Sequence, residues 1–191
     1  EIDNFDLSMS WQASDQTFLQ FSLFHKYLTN PITKVLGQRA SDGFFISYNN
    51  AESGTVQGLE IETDHRFNEN WNIGGNLSYI VSNLVPGPST IPAPILADSF
   101  EGQPNWILNL NLGYTLPDYG FTANLIYNYT GDYLAAVTGT QAVPSVVRDP
   151  AHSLDLIVRK SFTTSFGDGN VAFKVSNLLD DATSFTYEKR D

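Results

Sequence analysis

Residues that could coordinate a metal or act as nucleophiles are few and widely separated in this 191-residue chain. The three histidines are His25, His65 and His152, and no two of them fall at the spacing of metal ligands. The chain has no cysteine, which excludes disulfides, thiolate metal sites and cysteine nucleophiles. We therefore predict no metal site.

Carboxylates are the most abundant reactive groups, with 21 Asp and Glu against 10 Lys and Arg and a net charge of −11. Such an acidic chain repels phosphate, so nucleic-acid binding through a basic surface is excluded. The sequence contains no G-x-S-x-G elbow, phosphate loop or dinucleotide fingerprint. We therefore expect neither catalysis nor a bound cofactor.

The elements that must position these carboxylates are predicted by hydrophobic alternation with a period of two. From Trp106 to Leu116, every second residue is large and apolar, while most residues between them are polar or small. Successive side chains of a strand point to opposite faces, so this pattern predicts a strand with one apolar face. The same pattern predicts eight strands, at about 4–13, 17–29, 44–64, 71–82, 104–116, 121–130, 151–162 and 170–178, with a bend in the third near Asn49-Asn50.

The connections between these strands alternate between short and long. Short turns such as Asn68-Glu69-Asn70 contrast with the long segments 30–43, 83–103 and 131–150, which contain several prolines. This rhythm is typical of an antiparallel up-and-down β-barrel in an outer membrane, with short turns on the periplasmic side. The apolar face is then expected to contact lipid, and the polar face to line an aqueous lumen. No apolar run approaches the ~20 residues of a transmembrane helix.

Aromatic residues are concentrated near both kinds of connection. Two rings of amphipathic aromatic side chains, one at each bilayer interface, are typical of transmembrane barrels. The alternative is a β-sandwich core with aromatic residues at its edges. The predicted girdle residues are Trp11 and Trp71 beside short turns, and Tyr27, Trp106, Tyr127 and Tyr129 near long connections.

Several short motifs, in order along the chain, resemble those of TonB-dependent outer-membrane receptors. Asn50-Ala51 followed by Gly58-Leu59-Glu60-Ile61-Glu62 resembles one strand of that family, and Gly102-x-Pro104-x-Trp106 resembles the start of a later one. Phe173-Lys174-Val175-Ser176-Asn177-Leu178-Leu179-Asp180 is similar to a segment near the family's C-terminus. Two further matches are Trp71-x-Ile73 leading to Leu77-Ser78-Tyr79, and Tyr127-Asn128-Tyr129-Thr130-Gly131.

This resemblance implies a barrel of about 22 strands filled by an N-terminal plug, in the outer membrane of a Gram-negative bacterium. It implies import of a scarce ligand such as a ferric siderophore, energised by the inner-membrane TonB complex. The implied partners are membrane lipid, the plug, the remaining strands, TonB and a small metal chelate. We interpret residues 1–191 as one partial barrel domain of eight strands, without the plug, the TonB box or the final strand.

Candidate ligand-binding residues fall into two groups. On the predicted lumen wall, Glu60 and Glu62 either contact the plug and the ligand path or simply pair with neighbours and water. The charged residues of the long connections either recognise the ligand or are ordinary solvated loop charges. The candidates there are Asp98, Glu101, Arg148 and Asp149.

Two other functions compete with import at this point. A soluble all-β module that binds carbohydrate or Ca²⁺ would use the acidic loops as ligands and the aromatic residues as sugar platforms. Its distinguishing property would be a monodisperse aqueous monomer, whereas the receptor interpretation predicts insolubility without detergent. A passive porin, or an enzyme housed in a smaller barrel, is disfavoured by the Asn50 to Glu62 and Asn177 to Asp180 motifs.

Overall fold

The computed structural model describes residues 1–39, 43–87, 98–136 and 144–188. These residues form β-strands and one short 3₁₀ helix, Pro117–Tyr119. No helix in the described ranges is long and apolar enough to cross a membrane. The strands are β1 Ile2–Ser14, β2 Thr17–Thr29, β3 Ile32–Arg39, β4 Gly43–Asn50, β5 Ser53–Arg66, β6 Trp71–Val85, β7 Trp106–Leu116, β8 Phe121–Thr130, β9 Tyr133–Ala136, β10 Ser145–Arg148, β11 Ala151–Thr164, β12 Gly167–Val175 and β13 Phe185–Glu188.

Eight of these strands form one antiparallel sheet in the order β1-β2-β5-β6-β7-β8-β11-β12. Within this sheet, each strand pairs with the next one in chain order, and the small strands of the long connections are not part of it. This is an up-and-down arrangement. The sheet is open, with β1 at one edge and β12 at the other. The prediction of an antiparallel up-and-down sheet of eight strands is therefore confirmed.

The predicted boundaries are wrong in the long connections. The predicted strand 44–64 is divided into β4 and β5 beside the bend expected near Asn49-Asn50, because the chain turns at the buried Ala51 and the Glu52 amide bonds to the Val85 carbonyl at 2.9 Å. The segments predicted as loops contain further short strands: β3 pairs with β4, and β10 lies between β9 and β13. Residues 88–97 of the longest predicted loop lie outside the described residues.

The apolar side chains of the main sheet lie in register on one face. Leu7 is opposite Leu23, Leu23 is opposite Leu59, and Leu59 is opposite Tyr79. Leu7 and Leu23 are exposed, with 68% and 42% of their surfaces accessible, and Leu59 and Tyr79 are half-buried. Among the described residues, only Ala51 and Leu84 are buried apolar side chains. The apolar rows are therefore not packed as the core of a sandwich, which removes the alternative fold considered above.

The other face carries hydroxyl and amide side chains that are hydrogen-bonded across the strands. The Ser8 and Ser22 hydroxyl oxygens lie 2.8 Å apart, and the Ser10 hydroxyl donates to Oε1 of the Gln20 side chain at 3.2 Å. Farther along the sheet, Asn109 donates to Asn76 at 2.8 Å and Asn128 donates to Ser153 at 3.1 Å. The sheet thus has one apolar face and one polar face over most of its width.

Adjacent residues on β7 test this assignment of faces. Leu110→Arg places a cation on the apolar face, and we expect it to impair insertion into a bilayer by about 2–4 kcal/mol at mid-membrane depth. Asn111→Arg, on the polar face, is the matched control and is expected to cost much less. The measurement is the free energy of folding into lipid vesicles for a receptor that contains this chain. Equal losses for the two variants would contradict the assignment.

Candidate functional site

The two ends of the main sheet differ in how their strands are joined. At one end the joins are tight: the Asn68 side chain accepts hydrogen bonds from the Asn70 and Trp71 amides at 2.8 and 2.9 Å, which closes the β5–β6 turn. At the other end the joins contain β3, β4, β9 and β10. We call these the turn end and the loop end. Most candidate residues lie at the loop end.

The predicted girdle residues lie at both ends of the strands, with their side chains on the apolar face. Trp71 stacks on Tyr114 near the turn end, with ring centroids 4.5 Å apart, and Trp106 stacks on Tyr79 near the loop end at 4.4 Å. On β6, the span from Trp71 to Tyr79 corresponds to ~27 Å along the strand.

The remaining girdle candidates take the same positions on their own strands. Trp11 is 60% exposed near the turn end of β1, and Tyr27 is 42% exposed near the loop end of β2. The Tyr127 hydroxyl lies 2.7 Å from His152 Nδ1, and the Tyr129 ring centroid lies 4.9 Å from that of His152. That contact assigns His152 to an aromatic cluster, a role that the sequence analysis did not recognise.

On the polar face, Glu60 and Glu62 of β5 are flanked by neutral side chains on both neighbouring strands. Glu60 lies opposite Ser22 and Ser78, and the Ser78 hydroxyl donates to Glu60 Oε1 at 3.4 Å. Glu62 lies opposite Gln20 and Asn76, and these groups line a hollow of about 280 Å³. The two carboxylates therefore have no base directly across from them in the sheet.

Two other wall charges, on β11 and β12, are paired within the sheet, as the simpler interpretation of lumen charges expects. Lys174 Nζ of β12 lies 3.5 Å from Asp155 Oδ2 of β11. Glu60 and Glu62 differ from this ion pair, because only neutral side chains lie across from them in the sheet.

At the loop end, the structure brings two of the four predicted loop residues to one groove. Asp98 and Asp149 line a groove of about 1180 Å³ together with Asp132, Tyr133 and Gln103. The segment before β7 is held there by backbone bonds, from the Leu84 amide to the Asp98 carbonyl and from the Gly102 amide to the Leu134 carbonyl, each 2.8 Å. Asp132 was missed by the sequence analysis, although its position directly after the predicted strand end at Thr130-Gly131 places it in a long connection.

The other two predicted loop residues have identified neighbours outside the groove. Glu101 Oε2 accepts from Lys34 Nζ at 3.2 Å, and this ion pair ties the β6–β7 connection to β3. The Arg148 guanidinium lies 5.5 Å from the Tyr133 ring centroid, and its Nη1 donates to the Tyr133 hydroxyl at 3.3 Å. Both contacts hold the loop-end strands together.

Asp149 is positioned by the segment that follows β12. Asn177 and Asp180 both have a left-handed backbone, and the Asn177 side chain bonds to the Asp181 backbone at 3.0 and 3.2 Å, which turns the chain back toward β11. β13 can then pair with β10, and the Thr186 hydroxyl donates to Asp149 Oδ1 at 2.6 Å. This bond, together with one from Ser184, lowers the pKa of Asp149 below 3.8.

No group of three or more His, Cys, Asp or Glu residues within the described ranges is arranged to hold a metal ion. What the loop-end groove offers is carboxylate, amide, hydroxyl and phenol groups, which bind a ligand by hydrogen bonds and stacking.

The Asp149–Thr186 bond predicts a pH dependence at the loop end. Since the native pKa is below the unfolded one, the contribution of this bond to the attachment of β13 is fully present above the unfolded pKa and is lost as the pH falls through the native pKa. The measurement is the hydrogen-exchange protection of residues 185–188, expressed relative to intrinsic exchange rates. Thr186→Val is the control and should show lower protection with a weaker dependence on this titration, because the Ser184 bond remains. Identical pH profiles for the two proteins would contradict the assignment.

The chain is similar to known proteins in sequence and in fold. The TonB dependent receptor-like β-barrel family model matches residues 1–178. Among curated proteins, no sequence match is found.

Solved structures share the fold at low sequence identity. The FrpB iron transporter from Neisseria meningitidis (F3-3 variant) superposes with a TM-score of 0.69 and 13% identity over 98% of this chain and 28% of its own. The ferric-catecholate import receptor Fiu from E. coli K12 gives 0.63 and 19% over 94% of this chain and 23% of its own. The siderophore receptor PirA from Acinetobacter baumannii gives 0.61 and 13% over 94% and 27%.

The chain therefore spans about a quarter of the length of these solved receptors. The family model covers most of the chain, and the open eight-stranded sheet superposes on part of each receptor. The chain belongs to the family of TonB-dependent receptor β-barrels.

Proposed function

We propose that this chain is part of the barrel wall of an outer-membrane receptor in a Gram-negative bacterium. The receptor imports a scarce ligand such as a ferric siderophore and is energised through the TonB complex. The observation that carries the proposal is the exposed apolar face of an up-and-down sheet whose opposite face is polar, in a chain of this family. No catalytic step is part of the proposal.

Membrane lipid is the proposed partner of the apolar face. Burial of exposed apolar side chains such as Phe5, Leu7 and Met9, each more than 60% accessible, stabilises the sheet by roughly 25 cal/mol per Å² removed from water. The aromatic clusters at Trp71 and Trp106 mark the proposed interfaces. Their separation of ~27 Å along tilted strands suits an apolar band of ~25 Å or somewhat less.

The plug domain is the proposed partner of Glu60 and Glu62. Both side chains are exposed on the polar face, and the residues across from them on the neighbouring strands are only serine, glutamine and asparagine. A plug that fills the lumen would remove the two carboxylates from bulk water, which is costly unless a cation or several donors reach them. Basic groups from a domain that fills the lumen would supply the missing charge. We therefore assign the two glutamates to plug contact rather than to the ligand.

Ligand recognition is assigned to the loop-end groove. Asp98 and Asp149 line it and are proposed to face the ligand, whereas Glu101 and Arg148 shape it through Lys34 and Tyr133. This division refines the set of four loop candidates into two that contact ligand and two that position the strands around it.

Substitution of the wall glutamates tests the proposed plug contact. In the receptor that contains this chain, Glu60→Gln with Glu62→Gln is expected to reduce ligand uptake by roughly tenfold through the loss of charge-assisted hydrogen bonds to the plug. Glu69→Gln, in the β5–β6 turn, removes a charge away from the lumen and is the control. The measurement is uptake of radiolabelled iron chelate at matched outer-membrane levels of folded receptor. Unchanged uptake would contradict the plug assignment.

Dependence on TonB tests the proposed energy source. Uptake through the receptor is expected to stop in a strain that lacks TonB, while binding of the chelate to the cell surface persists. Equal uptake with and without TonB would contradict active import and would favour a passive porin.

A further inference from the structure

We infer that the apolar face of the sheet binds an anionic phospholipid at its turn end, with the lipid phosphate at Lys160. The inference rests on the proposed placement of this face in the lipid of an outer membrane, and it adds a second ligand that is not transported. Short turns lie on the periplasmic side of such barrels, so the lipid belongs to the periplasmic leaflet.

Lys160 is an exception on a face that is otherwise apolar. Across the strands it lies opposite Phe121 of β8 and Val171 of β12, which both belong to the apolar rows. A lysine on the lipid face is costly at mid-membrane depth and is tolerated near the interfaces, and Phe121 is the first residue of β8 after the turn. Among the described residues of the eight-stranded sheet, all other bases lie on the polar face, namely Lys26, Arg66, Arg159 and Lys174.

The turn between β7 and β8 holds the ammonium at the edge of this face. The 3₁₀ helix Pro117–Tyr119 ends at Gly120, whose left-handed backbone has a φ of 56°. The Ser161 amide donates to the Gly120 carbonyl at 2.7 Å, which brings the turn against β11. Lys160 Nζ then donates to the Tyr119 carbonyl. The side chain is thus drawn toward the membrane boundary, as is usual for lysines near the ends of membrane-spanning segments.

The charge of Lys160 is not compensated by a carboxylate. Unlike Lys174, Lys160 forms no ion pair with a described residue. Asp168 lies on the polar face, where it accepts a hydrogen bond from the Thr163 hydroxyl at 2.6 Å. Asp118 is exposed in the turn. An ammonium group has three donors, and the Tyr119 carbonyl uses one, so two remain for a phosphate.

A groove of about 700 Å³ lies beside the ammonium, within the ~300–1,000 Å³ typical of small-molecule sites. Tyr119, Lys160 and Phe162 line it from the turn and from the outward side of β11. From there, Val171 and Phe173 of β12 continue the apolar face toward the middle of the strands, and 60% and 61% of their surfaces are accessible. A phosphate at Lys160 would therefore leave an acyl chain lying along these two residues.

An anionic phospholipid is the occupant that these groups favour. In a zwitterionic phospholipid the amine of the headgroup already compensates the phosphate, so a contact with Lys160 gains less. A soluble anion would use the ammonium but not the apolar side chains next to it. Exposed aromatic rings at this corner suit the headgroup level of a bilayer, namely Tyr119, Phe162 and Phe166, which are 68%, 43% and 100% accessible.

Lipid quenching at two positions of the receptor that contains this chain tests the inference. A fluorophore is attached to Phe173→Cys, beside the proposed site, or to Leu110→Cys, which is on the apolar face of β7 away from it. The receptor has no other cysteine and is reconstituted into mixed vesicles in which either phosphatidylglycerol or phosphatidylethanolamine is brominated. The measurement is the ratio of the affinities of the two lipids at each label. We expect phosphatidylglycerol to be preferred at residue 173 and neither lipid at residue 110, and added salt to reduce the preference by screening.

Substitution of the lysine assigns the preference to its charge. With the label at residue 173, Lys160→Gln is expected to reduce the preference for phosphatidylglycerol about fivefold, as expected for one lysine near an anionic lipid surface. Lys160→Arg keeps the charge and should retain most of the preference. Lys26→Gln is the control, since it makes the same change in net charge on the polar face, where Lys26 Nζ lies 5.8 Å from the Phe24 ring centroid.

The outcomes separate this inference from the proposed import. Equal ratios at the two labels of the receptor with Lys160 intact overturn the inference and leave import untouched. The same holds if Lys160→Gln leaves the ratio unchanged, or if Lys26→Gln lowers it as much as Lys160→Gln does. Absence of quenching at both labels by either lipid would show that the apolar face does not meet lipid, and would contradict the proposed function together with the inference.

Discussion

The backbone hydrogen-bond ladder of the eight-stranded sheet is the constraint on which the other features depend. A strand that crosses hydrocarbon must bond its amides and carbonyls to neighbouring strands, because no water is there to do so. Here the pairing is continuous from β1 to β12, with strands mostly of nine to fifteen residues. Once the ladder is fixed, the pleat sends alternate side chains to opposite faces, and the sequence decides what each face contacts.

That division explains why the described chain has almost no apolar core. Only Ala51 and Leu84 are buried apolar side chains, and both lie at the loop end, where β5 and β6 meet their long connections. Elsewhere the apolar side chains point outward, and hydrogen bonds between serines and amides stabilise the opposite face. Under the proposed function, the surroundings that stabilise such a sheet are lipid on one side and the remaining barrel and plug on the other.

The sequence predicted the main strands because β-strand periodicity is local and needs no knowledge of partners. The alternation from Trp106 to Leu116 identified β7 to within two residues. The strand β13 was missed because its pairing is non-local: it pairs with β10 only after Asn177 and Asp180 reverse the chain. Asp132 was missed for the same reason, since its relation to Asp98 and Asp149 depends on how three separate connections meet. Glu60 and Glu62 were identified from a motif, but the neutral character of their neighbours required the strand register.

The central claim is that the apolar face contacts hydrocarbon and the polar face contacts water. It is tested most directly by nitroxide labels placed one at a time along β7, in a receptor reconstituted into vesicles, at Leu108, Asn109, Leu110, Asn111 and Leu112. The measurement is the collision rate of each label with oxygen, which dissolves in lipid, and with a water-soluble nickel chelate. The account predicts that oxygen collisions dominate at the three leucine positions and are relatively weaker at the two asparagine positions. Similar collision rates at all five positions, or the opposite alternation, would contradict it.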